Sequence, residues 1–297
     1  MLTGLTIARL VDRGVVRYED RYADLVRPEL RPRDLDPRVT LEHLLSHTSG
    51  VGDYADEYDG PPFEQIWETT PPGRIRGPKD TLRLMLDLPR TGDPDGPARY
   101  NNGAYILLGV VIEEVTGQTF PDAVAAEVFE PLGMTASGYW PLDGLEPDLA
   151  IGYVPPAPNA APGTPATTWR TNVYSMPALG GPDGGVQSTA ADLVRALDGL
   201  TGRGPIGGPF LGDATRTRMT TVVAISPEEQ ASYGLGMIRA GKGAAVRVGH
   251  SGEDPGFSSR CWAYDGGERV IVLSNVTEGA WQPFKVLDEM LAAATGA

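Results

Sequence analysis

Two short polar segments and one hydroxyl-rich turn carry the side chains of this sequence best equipped to move protons or hold a polar ligand. Tyr100-Asn101-Asn102 stands directly ahead of a strongly helical run, so its side chains fall at a loop-to-helix junction from which a phenol can project into a cleft. His250-Ser251-Gly252 ends a β-rich run, and its glycine would let a substrate lie close against the strand. Leu44-Leu45-Ser46-His47-Thr48-Ser49-Gly50 closes a short helix with hydroxyl groups. The chemistry on offer is that of phenol, imidazole and hydroxyl. Within the turn, His47 reads as a structural histidine and Ser49 as a capping hydroxyl. The lone cysteine, Cys261, lies in a β run and reads as a small buried filler, and with no second thiol it cannot form an intramolecular disulfide. His43, His47 and His250 are too scattered for a zinc site, and no H-E-x-x-H occurs, so no metal is expected.

The elements that must position these groups follow from periodicity. Leu2, Leu5, Ala8, Leu10 and Val11 recur at helical spacing before Gly14, with no N-cap residue ahead of them. Thr40 to Leu45 gives a short helix, and an amphipathic stretch runs from Lys79 to Leu88. From Asn102 to Thr116 the residues Tyr105, Leu108, Ile112 and Val115 share one face, closed by Gly117. Thr119 with Asp122, and Thr189 with Asp192, are capping-box patterns for two further helices. Pro155 to Pro165 reads as an extended surface loop. Towards the end the period changes. Tyr233–Arg239, Ala245–His250, Phe257–Tyr264 and Arg269–Ser274 are β-rich runs separated by hairpin signals, which predicts an antiparallel meander. A last helix, Phe284 to Ala294, places Phe284, Leu287, Met290 and Leu291 on one face. Helices in the middle with strands towards the C-terminus predict an α+β layered fold.

Composition narrows the function classes. The net charge of −14 argues against nucleic acid, which needs a basic face to release counterions. No apolar run approaches the length of a membrane span, and no signal-peptide pattern follows Met1. If Met1 is the true start, a cytoplasmic protein is expected. Small molecules are the expected partners.

Five segments then occur in a telling order: Leu-Leu-x-His-Thr-Ser-Gly at 44–50, Tyr-x-Asn-x-x-Tyr-x-Leu-Leu-Gly at 100–109, Gly-Gly-x-x-Ser-Thr-Ala-x-Asp-Leu at 184–193, Tyr-Gly-Leu-Gly at 233–236, and Gly-His-Ser-Gly-x-x-Pro-Gly-Phe at 249–257. The chain thereby resembles the serine β-lactamase and DD-peptidase superfamily, of the class C β-lactamase and esterase type. The resemblance implies a β-lactamase/transpeptidase-like fold over 1–297, in which 1–30 and 185–297 form an α/β part and 31–184 a mostly helical part. It also implies an ester, D-amino-acid peptide or β-lactam substrate and no cofactor. Tyr100 matches the tyrosine that works with a lysine as general base; a phenol of pKa about 10 must be lowered by nearby positive charge to do so at neutral pH. Asn102 matches the asparagine that binds the substrate amide. His250, Ser251 and Gly252 match the K-T-G triplet, with histidine for lysine, a departure common among the superfamily's esterases, peptidases and D-aminopeptidases. The N–H of Glu253 would serve the oxyanion hole.

The family's nucleophile lies in S-x-x-K at the start of a helix that continues in a pattern matched by Met1 to Gly14. The lysine is therefore expected just ahead of Met1 and the serine three places earlier, outside this chain, where no serine has lysine at the third following position. The family's N-terminal helix and strands are expected to be missing with them. The expectation is a serine hydrolase that is inactive as given. Two alternatives stay open: a non-catalytic ligand-binding member of the same fold, and a hydrolase using an internal serine such as Ser49 or Ser251, for which no G-x-S-x-G elbow exists.

Overall fold

The computed structural model describes residues 1–146, 148–155, 169–203 and 209–295. Beyond Pro155, the expected Pro/Ala-rich loop lies outside the described residues. Helices α1 (Leu2–Asp12), α2 (Tyr22–Leu25), α3 (Leu41–Leu45), α4 (Phe63–Thr69) and α5 (Pro78–Leu82) precede the long α6 (Asn102–Thr116). Next come α7 (Phe120–Val124) and α8 (Glu130–Leu132), joined by a π-helical stretch at Ala125–Phe129. After the short pair β1 (Tyr153–Val154) and β2 (Arg170–Thr171) come α9 (Ala190–Thr201) and α10 (Asp213–Thr220). A six-stranded antiparallel meander follows: β3 (Ala224–Ser226), β4 (Ala231–Tyr233), β5 (Ile238–Ala240), β6 (Arg247–Asp254), β7 (Phe257–Tyr264) and β8 (Arg269–Ser274). The last helix is α11 (Trp281–Thr295). The architecture is α+β, as the sequence pattern predicts.

The sheet buries both faces. On β7, Trp262 and Tyr264 pack with Val270 and with Phe284 of α11, whereas Ala263 joins Val248 in the main core with α1 and α6. That alternation is the period-two pattern of a strand covered on two sides. Helix α1 is buried almost all round: Leu2, Thr3, Gly4, Leu5, Thr6, Ile7, Ala8 and Leu10 are all inside. It is a central helix, not a surface one.

Several elements differ from their sequence expectation. The run Tyr233–Arg239 is two strands, because Gly234-Leu235-Gly236 leaves the sheet to meet α1. A Cβ on Gly4 would sit 3.1 Å from the Cα of Gly236, so the backbones touch where two glycines face each other. Gly236 also has φ +80°, open to glycine at little strain. The strand around His250 starts later and runs on to Asp254, and β3 carries too few residues to show a period. The amphipathic stretch from Lys79 to Leu88 is helical only as far as Leu82 and continues as turns. On α11 only Phe284 and Leu291 of the expected face pack on the sheet; Leu287 and Met290 are 40% and 63% exposed.

Candidate active site

The start of α6 holds Tyr100 by satisfying the orphan N–H groups of the helix. Asn101 is the N-cap: its Oδ1 accepts from Ala104 N at 2.6 Å and its Nδ2 donates to Val51 O at 2.8 Å. The next two N–H groups, of Asn102 and Gly103, donate to the Asp53 carboxylate at 2.7 and 2.9 Å. Tyr100 N donates to Tyr58 Oη at 3.2 Å, and Tyr58 donates in turn to Glu229. The Tyr100 ring is thereby set 4.5 Å from the His47 ring, 6.2 Å from His250 and 6.5 Å from Tyr233, centroid to centroid. Asn102 gives its amide N–H groups to Ala55 O and Glu57 Oε1 at 3.3 and 3.2 Å.

Strand β6 forms the opposite wall. Its pairing with β5 ends at Ile238–Gly249, while its pairing with β7 runs on through His250–Cys261 to Asp254–Phe257. The segment from His250 to Asp254 therefore has its β5-side edge outside the ladder, a place where an extended ligand can lie along a strand. His250 Nδ1 donates to the Ser251 carbonyl, which can only accept, so the neutral ring keeps Nε2 as an acceptor. Gly252 lies over Ser259, whose Oγ a Cβ would meet at 2.9 Å. Glu253 is exposed, and its carboxylate accepts from Trp281 Nε1 at 2.9 Å.

The third wall is the N-terminal end of α1. Met1, Leu2 and Thr3 line the same cleft as Tyr100, Asn102, His250, Ser251, Gly252 and Glu253. All six side-chain and backbone positions singled out from the sequence thus share one cavity. Its ≈ 2490 Å³ is well above the roughly 300–1,000 Å³ of a site closed around a small ligand, so it is an open groove.

The groove sets a neutral phenol and imidazole among carboxylates, and Arg170 and Arg260 are also in its lining. Burial, above all, pushes His250 down to about 3. His47 also falls to about 3, mainly by burial. Cys261, beside His250 in the ladder, is a buried thiol pushed up to about 12, which agrees with the filler role. Tyr100 is raised well above the ordinary phenol value, by burial first and then by Glu57, Tyr105, Asp183 and Asp254. The charged groups that raise it are carboxylates, the opposite of the positive charge a tyrosine base requires. Sequence reasoning missed these carboxylates and also Asp53 and Tyr58. Asp53 follows the His-Thr-Ser-Gly turn by three residues, a spacing that carries no helix-cap signal because the helix it serves starts at Asn102.

A family model described as Beta-lactamase matches residues 1–295. The chain belongs to the Beta-lactamase family. Penicillin-binding protein 4* of Bacillus subtilis (strain 168) is 29% identical over 285 residues, covering 93% of this chain and 59% of that protein. Esterase EstB of Burkholderia gladioli is 28% identical, covering 96% of this chain and 78% of the esterase. The crystal structure of a penicillin-binding protein from Bacillus halodurans superposes with a TM-score of 0.86 at 31% identity, covering 97% of this chain and 83% of that one. This Beta-lactamase-family chain spans 59% and 46% of the lengths of two penicillin-binding proteins that it matches, from Bacillus subtilis and Amycolatopsis lactamdurans.

Proposed function

We propose that this cleft serves acyl transfer to water on an ester, amide or lactam, through an acyl-serine. The observation that carries the reading is the convergence of the α1 N-terminal end, Tyr100 and His250 on the open edge of β6. In this reading a serine oxygen at the head of α1 attacks the carbonyl and forms an ester, and the leaving group departs with a proton relayed through Tyr100. Water then cleaves that ester and restores the serine. The lysine of S-x-x-K lowers the Tyr100 phenol by its charge, opposing the carboxylates that raise it. Asn102 orients the substrate amide, the His250-Ser251-Gly252 segment lines the bound chain, and backbone N–H groups near Glu253 take the developing oxyanion.

No serine of these 297 residues is followed by lysine at the third position, so the 297 residues themselves are proposed to lack turnover. A chromogenic short-chain ester and a fluorophosphonate probe test this on two proteins: the 297-residue chain, and the same chain preceded by its upstream codons. The reading expects labelling and turnover only where S-x-x-K is present. Stoichiometric labelling of a serine within the 297 residues overturns it in favour of an internal nucleophile. An upstream sequence with no S-x-x-K and no turnover leaves a ligand-binding member of the family.

A further inference from the structure

One carboxylate on the groove wall beside Tyr100 has no part in the acyl-transfer reading. Glu229 sits on the turn at 227–230 that joins β3 to β4, where Gln230 at φ +54° brings the chain back. Its N–H donates to the Oγ of the fully buried Ser226 at 3.3 Å, which anchors the turn to the sheet. The two carboxylate oxygens are divided between two phenols: Tyr58 donates to Oε1 at 2.7 Å, and Tyr233 of β4 donates to Oε2. Each phenol leads to Tyr100. The Tyr58 oxygen accepts the Tyr100 N–H at 3.2 Å, and the Tyr233 ring stands 6.5 Å from the Tyr100 ring and 4.9 Å from that of His47. The Arg99 guanidinium, held by Asp56 and Asp59, covers the Tyr58 ring at 4.6 Å and fixes its plane.

We propose that Glu229 is a positioning residue for Tyr100, acting through the Tyr58 and Tyr233 phenols that it bridges. The proposal rests on the acyl-transfer reading and adds to it a residue that touches no reacting atom. An ionised carboxylate can only accept, so both phenols turn their single proton towards Glu229. Tyr58 Oη then presents its lone pairs to the Tyr100 N–H, and the direction of that bond is set. Burial first, and then Glu229, hold both phenols well above the ordinary phenol value, so each keeps the proton it donates. Without the carboxylate the Tyr58 proton is free to face the Tyr100 N–H, donor against donor, and the backbone of Tyr100 loses its support. A displacement of about 1 Å in a reacting group can cost on the order of a hundredfold in rate, so such support bears on turnover. The Glu229 side chain is exposed to the groove, so replacing it opens no cavity.

Two variants test the proposal: Glu229→Leu keeps the bulk and removes both acceptors, and Glu229→Gln keeps one. In the 297-residue chain, amide exchange followed by NMR is expected to quicken about tenfold at Tyr100 in the leucine variant and less in the glutamine variant. Asn101, whose N–H goes to His47, should keep its protection. Unchanged exchange at Tyr100 overturns the proposal, and so does an equal gain at both amides, which marks general loosening. In the form with S-x-x-K ahead of Met1, kcat for a short-chain ester should fall about tenfold in Glu229→Leu with KM unchanged, and Glu229→Gln should recover part of it. An unaltered kcat, or a change in KM alone, overturns the proposal. Added to Tyr58→Phe, the leucine substitution should cost less than it does alone, because the two share one route to Tyr100; a fully multiplicative loss counts against that route and overturns it. If Glu229→Leu fails to fold, the glutamine variant decides by the same measurements. If the longer form shows no turnover at all, the acyl-transfer reading falls, and exchange at Tyr100 still decides whether Glu229 holds it.

Discussion

The backbone N–H of Asn101 donates to His47 Nδ1 at 3.0 Å, tying the helix that carries Tyr100 to a buried turn more than fifty residues earlier. His47 has φ +60°, and its carbonyl accepts from Arg99 N at 2.9 Å, so both neighbours of Tyr100 are bound to this one residue. Its ring also stacks on Tyr105 at 5.1 Å. Replacement His47→Ala leaves a buried N–H without a partner and a void, and is expected to lower stability by about 2–4 kcal/mol. Urea unfolding measures this. An unchanged midpoint would remove His47 from the support of the site.

The acid limb of stability should carry the same residue. The folded value of His47, about 3, lies below its unfolded 6.5, so its contribution is present above pH 6.5 and is lost as pH falls towards 3. His250 is lowered too, mainly by burial, and acts in the same sense. A His250→Gln variant is therefore expected to unfold less steeply with acid than the parent between those limits. Parallel pH–stability curves would contradict the burial-driven shift.

Asp254 works in the opposite direction. Its folded value of about 7 exceeds the unfolded 3.8, so the stability it contributes is full below pH 3.8 and is lost as pH rises through about 7. Asp254→Asn should gain on the order of 2 kcal/mol over the parent at mildly alkaline pH and nothing below pH 4. Thermal melts across that range are the check, and an equal effect at both ends would mean the residue acts by packing.

Most of the framework was legible because it is local. The capping pairs Thr119–Asp122 and Thr189–Asp192 start helices where expected, and Gly117 ends α6 in the left-handed region. Tyr100, Asn102 and His250 were found by motif, and they do share one cleft. What stayed hidden depends on long-range neighbours. Asp53 caps α6 from fifty residues away, and the Gly184 turn meets Asp254 only because that loop faces the end of β6. The Tyr100 phenol was expected to sit beside positive charge, and only the packed structure reveals the carboxylates around it.

Asp53 supplies the next prediction. Its carboxylate accepts from the N–H groups of Ala55, Asn102 and Gly103, so Asp53→Ala strands two donors at the start of α6. The loss should be about 1–2 kcal/mol, with Asp53→Asn recovering part of it, because one amide oxygen can still cap the helix. A denaturation series over the two variants decides, and an Asn variant no better than Ala would indicate that charge, not capping, is what the helix needs.

The final prediction concerns a form of the protein with S-x-x-K ahead of Met1. Tyr100→Phe removes the phenolic proton relay and leaves the ring contacts with His47 and His250 in place. Turnover should fall by roughly a hundred-fold to ten-thousand-fold without loss of the fold. His250→Lys acts on substrate choice. The native imidazole, lowered to about 3, is neutral at pH 7, and a lysine there would set a cation on the β6 wall facing Tyr100. It should improve kcat/KM for an anionic lactam relative to a neutral ester. If Tyr100→Phe keeps the parent rate, the proton relay lies elsewhere. If His250→Lys changes ester and lactam alike, position 250 does not read the charge of the substrate.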